Sequence, residues 1–561
     1  MTPQEEVRAQ LTGPGGPFEI VLEDVRGVTL PVFKERLRSL RDLLAQSAAH
    51  GDKELMVYEG RRVSYQENID RIASLARVFA EQYGIRSGDR VAILAANRPE
   101  FLEAFWATVS LGAIAVAFNG WWVAEEINYA IGDSEPRLLV ADRKRLARLE
   151  GRDPGIPVLE MEADFPKLCG AHPGAELPTV AIDEDDPCVI LYTSGTTGKP
   201  KGALTSHRSI LGFVQCYSLT GLEGVVLAAR QLAESGAEAP PPPPSPCTLA
   251  TVPLFHLSGL YAASIMMLAV GGKTVFMEGR FDPEKVLQLI QDEKITSWSA
   301  LGNTGQRVVA HPTLKNYDVS SIRNIGFGGA PTSPALMEAL REAFPSAARA
   351  QGMGYGLSES AGIGTVIGGE DFVERPTSAG RAVPTHEVQV RSAANEPLPD
   401  GVDGEIHIRS ADLMLGYWGR PDATEETLKP GGWLATGDIG RLEDGWLYIN
   451  SRARDMILRG AENIYPVEIE HRLDSHPTIG ESAVVGVDHP ELGQEVKAFV
   501  VPAPGHSIDT DELARFTGEA LAGFKVPAHW EIMTEPLPRN AAGKVLKNVL
   551  TGDAENTQID E

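Results

Sequence analysis

VAILAANRPEFLEAFWATVSLGAIAVAFN occupies residues 91–119. Its first seven residues begin with an apolar run, RPEFLEAFWATVSLGA then places apolar side chains at helical spacing, and IAVAFN ends on a second apolar run. Strand, crossover helix and second strand in that order make the repeating unit of an α/β sheet. Working outward, RLLVAD (137–142), CVILYT (188–193), TVFM (274–277) and IGF (325–327) read as further strands, and PEKVLQLIQDEK (283–294) as an intervening helix. The fold class expected is therefore α/β, with residues 1–453 forming a large region of layered sheets.

Near residue 380 the texture changes to the short alternating runs EVQVRS, GEIHIRS and GWLYINS, separated by Gly and Asp turns. They predict a small antiparallel, β-rich part at about 380–450. Residues 454–561 read as a separate small α+β domain: a helix at VEIEHRLDSH, strands at SAVVGVDH and VKAFVVP, a helix at DELARFTGEAL and a last strand at WEIMTE. A chain of 561 residues is too long for one ordinary core, which agrees with this division.

Lys and Arg total 51 against 77 for Asp and Glu, a formal charge of −26. Such a field repels phosphate backbones and anionic lipid, which excludes general nucleic-acid and membrane-surface roles. Cys169, Cys188, Cys216 and Cys247 show no CxxC pair and no companion histidines at zinc-finger spacing, so they read as free thiols in a reducing compartment. The first 20 residues lack the basic flank and apolar run of an export signal. The most apolar stretch, LYAASIMMLAVGG at 260–272, is too short to span a bilayer, so no integral membrane segment and a cytoplasmic location are expected. GAEAPPPPPSP at 236–246 favours a stiff exposed loop, within a stretch, 205–252, read as an exposed excursion or a cover over an entrance.

The sharpest local signal is YTSGTTGKPKG at 192–202. A buried strand runs into a loop whose glycines let backbone N–H groups approach an oxyanion, whose hydroxyls on Thr193, Ser194, Thr196 and Thr197 can donate, and whose Lys199 and Lys201 supply charge. A phosphate is the expected guest. The loop is not a Walker A motif, because Thr193 stands where the first Gly is required. GFGG at 326–329 is not a dinucleotide fingerprint, with Pro331 in the last place, and GLSES at 356–360 lacks the closing Gly of a nucleophile elbow.

YTSGTTGKPKG resembles the signature loop of the adenylate-forming superfamily of acyl-CoA synthetases, adenylation domains and luciferases, and is most like the acyl-CoA ligases. PLFHLSG (253–259), GFGGAP (326–331), GYGLSES (354–360), GWLATGD (432–438), SRARDMILRGAENIYPVEIE (451–470) and PRNAAGK (538–544) follow in that family's order. The resemblance spans roughly residues 35–550 and implies ATP and CoA as co-substrates, Mg²⁺ as the metal and a C-terminal domain that swings.

By this resemblance the loop Thr193, Ser194, Gly195, Thr196, Thr197, Gly198 and Lys199 grips the outer phosphates, and Ser358 with Glu359 faces the α-phosphate and Mg²⁺. Glu359 is the metal candidate, a hard oxygen donor. Gly329, Ala330 and Pro331 run past the adenine beside Gly354, Tyr355 and Gly356. Asp438 takes the ribose hydroxyls and Arg452 the nucleotide. Lys544 neutralises charge at the carboxylate and α-phosphate, making it, with Glu359, Thr193 and His256, the expected catalytic set. Arg454 stands at the hinge, where the family commonly has Asp or Lys. Segments around His256, Gly259, Leu301, Gly328 and Ala361 line the acyl pocket in relatives; here they are small and uncharged, which suits a bulky or medium-to-long apolar acid, whether fatty, alicyclic or a steroid side chain. Trp121 and Trp122 replace a turn common in relatives and read as packing residues.

A carboxylate cannot be attacked by a thiol until its oxygen becomes a good leaving group, and an acyl adenylate supplies one. The expected function is therefore an acid–thiol ligase that releases AMP and pyrophosphate, with no nucleic-acid partner and a homodimer as a candidate assembly. Alternatives are an enzyme that loads a separate carrier protein or stops at the adenylate, a luciferase-like oxygenase, and an inactive nucleotide-binding scaffold.

Overall fold

The computed structural model describes residues 2–193, 199–235, 244–277, 279–300, 304–328, 332–348, 350–452, 455–459, 462–541 and 543–554. The 91–119 unit forms as read: strand Arg90–Leu94, helix Pro99–Ser110 and strand Ile114–Ala117, the two strands parallel neighbours. All of that helix except Glu100 is buried. A helix apolar on every side has to be covered on every side. Its one buried charge, Glu103, is satisfied by Arg71, whose Nε and Nη2 donate at 2.6 and 2.9 Å.

These strands belong to a seven-stranded sheet, in the order Gly416–Tyr417, Lys201–Ser206, Pro187–Thr193, Ile114–Ala117, Arg90–Leu94, Leu138–Ala141, Val158–Glu160. The middle of the sheet is parallel and fully buried. Its edge is an antiparallel hairpin, Pro187–Thr193 with Lys201–Ser206, that pairs Thr193 with Lys201. Residues 194–198, which join the two strands, lie outside the described residues.

A second sheet of 14 strands runs from the antiparallel strands Glu387–Arg391 and Gly404–Arg409 through Trp433–Glu443, Trp446–Arg452 and Ser378–Ala382. It continues into the parallel set Gln351–Tyr355, Asn324–Gly328, Ser297–Ser299, Cys247–Ala250 and Lys273–Phe276. The β-rich part is thus not a detached sheet. Ser378–Ala382 joins the two halves, pairing with Thr365–Gly368 on one side and with Trp446–Arg452 on the other. Its Gly380 has φ +97°, and a Cβ there would lie 2.1 Å from the Val366 carbonyl oxygen. Gly380→Ala combines left-handed strain with a backbone clash, expected to cost about 2–4 kcal/mol. Calorimetry should show the melting temperature falling by about 5–10 °C; a fall under about 1 °C would mean the strand can shift.

Within the stretch 205–252, residues 236–243, which hold most of the proline run, lie outside the described residues, and the part before them is not an exposed excursion. Residues 207–235 form one helix whose first half, including Ile210, Leu211, Phe213, Val214, Cys216 and Leu219, is buried. Glu223 on it accepts from Arg8 at 2.7 and 2.9 Å, tying the N-terminal helix Pro3–Thr12 to it. Among the described residues this is the one helix long and apolar enough to cross a membrane, and 44% of its apolar window is buried in this fold. Core packing accounts for that half of the apolarity.

Residues 457–550 build a five-stranded sheet. Gly493–Pro502 pairs with Ile479–His489, Ile457–Arg459 and, in parallel, His529–Ile532, and helices Pro466–Asp474 and Thr510–Gly518 accompany it. It has apolar clusters of its own, one around Ile469, Leu473, Val484 and Val500, the other around Ala483, Phe499 and Leu537. The small C-terminal α+β domain is present as read; the boundary at 453–454 falls outside the described residues.

Candidate active site

Thr193 ends its strand half-buried at the base of the 194–198 loop, and its hydroxyl donates to the Lys201 carbonyl at 3.4 Å. The two lysines that leave the loop are seated on aromatic rings: the Lys199 ammonium lies 5.0 Å from the Tyr129 centroid and the Lys201 ammonium 5.1 Å from that of Tyr417. The negative faces of these rings hold the cations without neutralising them, as an ion pair would. Tyr417 also donates its phenol proton to Glu359 Oε1 at 2.7 Å. Burial and the Glu359 charge push the Tyr417 phenol well above its usual range, so it remains a donor. Lys201, Tyr417 and Glu359 therefore form one chain of contacts from the loop to the turn Ser358–Ser360.

That turn is fixed by the backbone. The Ser360 hydroxyl accepts from Leu357 N–H at 3.0 Å, and the Glu359 carbonyl accepts from Met414 N–H at 2.9 Å. Gly356 passes so close to Gly362 that a Cβ would meet its carbonyl carbon at 2.4 Å. Glu359 has one carboxylate oxygen engaged by Tyr417, and Ser358 stands beside it half-buried. A single carboxylate fits a magnesium ion that takes most of its oxygens from phosphates and water.

Asp438 is 5% exposed. Its Oδ2 accepts from the Tyr355 hydroxyl at 2.8 Å, and its Oδ1 forms an ion pair with Arg452 Nε at 3.1 Å. The last contact follows from strand register, because Asp438 and Arg452 are cross-strand partners. Burial and the neighbouring Asp438 charge drive the Tyr355 phenol well up, so this ring also stays protonated.

These groups face a cavity of about 500 Å³ between the large region and the C-terminal domain, within the range of about 300–1,000 Å³ that small-molecule sites occupy. One wall holds Gly328, Gly354, Tyr355, Gly356, Asp438 and Arg452; the other holds His471, Asp474, Arg539 and Lys544. Gln306 Nε2 donates to the Gly480 carbonyl at 2.5 Å across the divide. Lys544 sits at the foot of a hairpin closed by an Arg539–Val545 bridge. Asn540 N–H donates to the Lys544 carbonyl at 2.9 Å, Lys544 N–H donates to Asn540 Oδ1 at 2.9 Å, and Arg539 Nη1 donates to the Gly543 carbonyl at 2.8 Å. Burial pushes the Asp474 carboxyl up to about 7, whereas Arg539 pairs with Glu481 and Lys547 with Glu470, each at 2.7 Å.

The structure thus brings Gly328, Gly354, Tyr355, Gly356, Asp438, Arg452 and Lys544 together around one cavity, and places Thr193, Lys199, Ser358 and Glu359 on connected segments. Ser194, Gly195, Thr196, Thr197, Gly198, Leu301, Gly329, Ala330, Pro331 and Arg454 lie outside the described residues. Three of the expected acyl-pocket residues are not in this cavity's wall. Gly259 is buried where a Cβ would meet the Pro253 carbonyl oxygen at 2.1 Å, so its smallness serves packing. Ala361 is 0% exposed, with φ +51°.

His256 packs on Phe255 with ring centroids 4.9 Å apart, its Nε2 has no hydrogen-bond partner among the described residues, and burial pushes its pKa down to about 4. A ring neutral from about pH 5 upward cannot serve as a general acid at neutral pH. His256→Gln is expected to change kcat/KM by the same factor at every pH between roughly 6 and 8. A moved acidic limb in the pH profile would restore His256 as a titrating catalyst. Trp122 is buried against Phe118 and Tyr192, a packing role as expected, and all four cysteines are buried free thiols.

Tyr129 and Tyr417 were not expected. Tyr129 donates to the Pro200 carbonyl at 3.2 Å, and Arg420 binds both Tyr129 and Asp133, which steadies the loop's exit. Their sequence signal is faint, a Gly-Tyr pair at 416–417 and a tyrosine on an amphipathic helix.

The AMP-binding enzyme family model matches residues 43–418, and the model of that family's C-terminal domain matches 468–544. The chain belongs to the AMP-binding enzymes. A feruloyl-CoA synthase from Amycolatopsis sp is 36% identical to this AMP-binding enzyme over 495 residues, 87% of this chain and 93% of that protein. The long-chain-fatty-acid–CoA ligase FadD13 of Mycobacterium tuberculosis is 33% identical, covering 87% of this chain and 92% of the relative. Among solved structures, ATP-bound MatB from Rhodopseudomonas palustris superposes with TM-score 0.78 at 28% identity, over 92% of this AMP-binding enzyme and 99% of MatB. The sheets and the two-domain division described above are those of adenylate-forming enzymes.

Proposed function

We propose that this AMP-binding enzyme is an acyl-CoA synthetase that joins a hydrophobic carboxylic acid to CoA through an acyl adenylate. The observation that carries the reading is the single cavity with Asp438 and Arg452 on one wall and Lys544, from the other domain, opposite. The relatives named for CoA ligation of an aryl and of a long-chain acid support it, as does the ATP held by MatB.

In the first step the acid's carboxylate oxygen attacks the α-phosphorus of ATP, the bond to the bridging oxygen breaks, and pyrophosphate leaves with that electron pair. Both reactants are anionic, so a cation that meets the developing charge lowers the barrier most. Lys544 supplies it, held at the foot of a hairpin braced by Asn540 and Arg539. Asp438 accepts from the ribose hydroxyls and fixes the nucleotide so that attack is in line. A bound Mg²⁺, which Glu359 would hold, supplies charge that gathers the phosphates. In the second step the CoA thiol sulfur bonds to the acyl carbon, its proton passes to solvent, and AMP departs with the former carboxylate oxygen.

Pyrophosphate release with ATP and Mg²⁺ across straight-chain, aryl, alicyclic and steroid-side-chain acids, each with and without CoA, tests the reading. The expected result is release for an apolar acid with turnover that requires CoA. Turnover indifferent to CoA would replace it with a carrier-loading or adenylate-forming enzyme, and ATP binding without release for any acid would leave a nucleotide-binding scaffold.

A further inference from the structure

Outside the wall of the adenylating cavity, Cys216, His386 and Asp412 each present a ligand atom within 4.8 Å of the other two. They are far apart in sequence: Cys216 lies on the long helix His207–Ser235, His386 immediately before the strand Glu387–Arg391, and Asp412 shortly after the strand Gly404–Arg409. All three are closed off from solvent, at 0%, 8% and 5% exposure. We propose that Cys216, His386 and Asp412 form a structural zinc site that pins the long helix to the β-rich part of the large region.

The hydrogen-bond accounting motivates this. Thr385 Oγ1 lies 3.3 Å from Cys216 Sγ and 3.1 Å from His386 Nδ1, leaving His386 Nε2 without any partner among the described residues. A buried polar atom with no partner is uncommon and calls for a cause such as an ion. No ion pair engages the Asp412 carboxylate among the described residues. Of the nearby guanidiniums, Arg208 gives Nε and Nη2 to Asp185 at 2.8 and 2.6 Å and keeps Nη1 without a hydrogen-bond partner among the described residues, and Arg26 donates to the Ala411 carbonyl at 2.8 Å. Ser410 hydrogen-bonds the carboxylate, but a buried carboxylate with no counter-charge in contact is still costly to keep ionised. The helix also presses directly on it, since a Cβ on Gly212 would lie 2.3 Å from Asp412 Oδ1.

A zinc ion resolves these costs together. Thiolate, imidazole and carboxylate are its usual donors, and one thiolate plus one carboxylate balance its two charges, so the buried unit is neutral. Binding sends the thiol proton to solvent. A gap of about 10 Å³ beside Asp412 and Thr385 is close to the smallest space that holds one water. The Thr385 hydroxyl, beside both Cys216 and His386, would orient these two ligands.

The test is metal content of the full-length protein after incubation with zinc chloride and desalting, with cobalt(II) as a coloured stand-in. The expected result is about one zinc per chain and a thiolate-to-cobalt charge-transfer band. Cys216→Ser should abolish both, while Glu359→Gln keeps both, which separates this site from the magnesium candidate. Wild-type protein with under about a tenth of an equivalent of zinc and no band would overturn the proposal. So would a band that survives Cys216→Ser, since Cys169, Cys188 or Cys247 would then be its source. Where Cys216→Ser does not fold, His386→Gln decides: loss of the zinc upholds the site and retention overturns it.

Discussion

Lys544→Ala is expected to slow adenylation by about 10²–10³-fold, the usual loss when one aligned charge or donor is withdrawn from a developing anion. The hairpin that carries Lys544 is closed by backbone bonds to Asn540 and by Arg539 on the Gly543 carbonyl, none of which uses the lysine ammonium. These hairpin bonds remain available to the variant, and circular dichroism should show a native fold. Thioester formation from a supplied acyl adenylate should be nearly untouched, because there the phosphoryl charge is already settled and the bond being made is at the acyl carbon. Pre-steady-state rates for the two half-reactions give the answer. Equal losses in both would remove Lys544 from its assigned role and make it a general anion-binding group.

Asp438→Ala should act on binding. Its carboxylate is almost wholly enclosed and already organised by Tyr355 and Arg452, so it offers the sugar an acceptor that needs no rearrangement. Two hydrogen bonds to a charged group contribute about 1.5–3 kcal/mol each, so KM for ATP should rise by about 10²-fold or more. Tyr355→Phe, which removes one of the contacts that orient the carboxylate, should give a rise several-fold smaller. An ATP KM within about threefold of wild type for Asp438→Ala would place the ribose elsewhere.

The strands at 91–94, 114–117, 137–142, 188–193 and 274–277 are legible because a parallel sheet buried on both faces writes itself as short continuous apolar runs. The candidate site is legible differently. Lys544 and Asp438 stand out only through motif order, since a lone lysine or a turn aspartate carries no periodic signal. Tyr417 stays hidden because its partner Glu359 is 58 positions away, and pairing across that distance is set by the sheet edge at Gly416–Tyr417. Gly259 shows why smallness is an ambiguous signal. Small residues mark either open space or close approach, and at Gly259 the Pro253 backbone already fills the space that the missing side chain leaves. In the stretch 205–252 the helix His207–Ser235 goes unread because the prolines after it draw the eye.

The C-terminal domain's own sheet and apolar clusters bear on how the molecule comes apart. Two bodies joined by a cavity and by little apolar contact, Ala541 of the C-terminal domain packing in the large region's core, have little reason to lose order in one concerted event. A heating experiment should resolve separate cooperative units, and calorimetric and van't Hoff enthalpies should disagree for the whole chain. A substitution such as Gly380→Ala should displace the transition of the body that contains it and leave the other in place. Whatever bridges the cavity would then fuse the two transitions, so the shape of the melt becomes a direct gauge of occupancy.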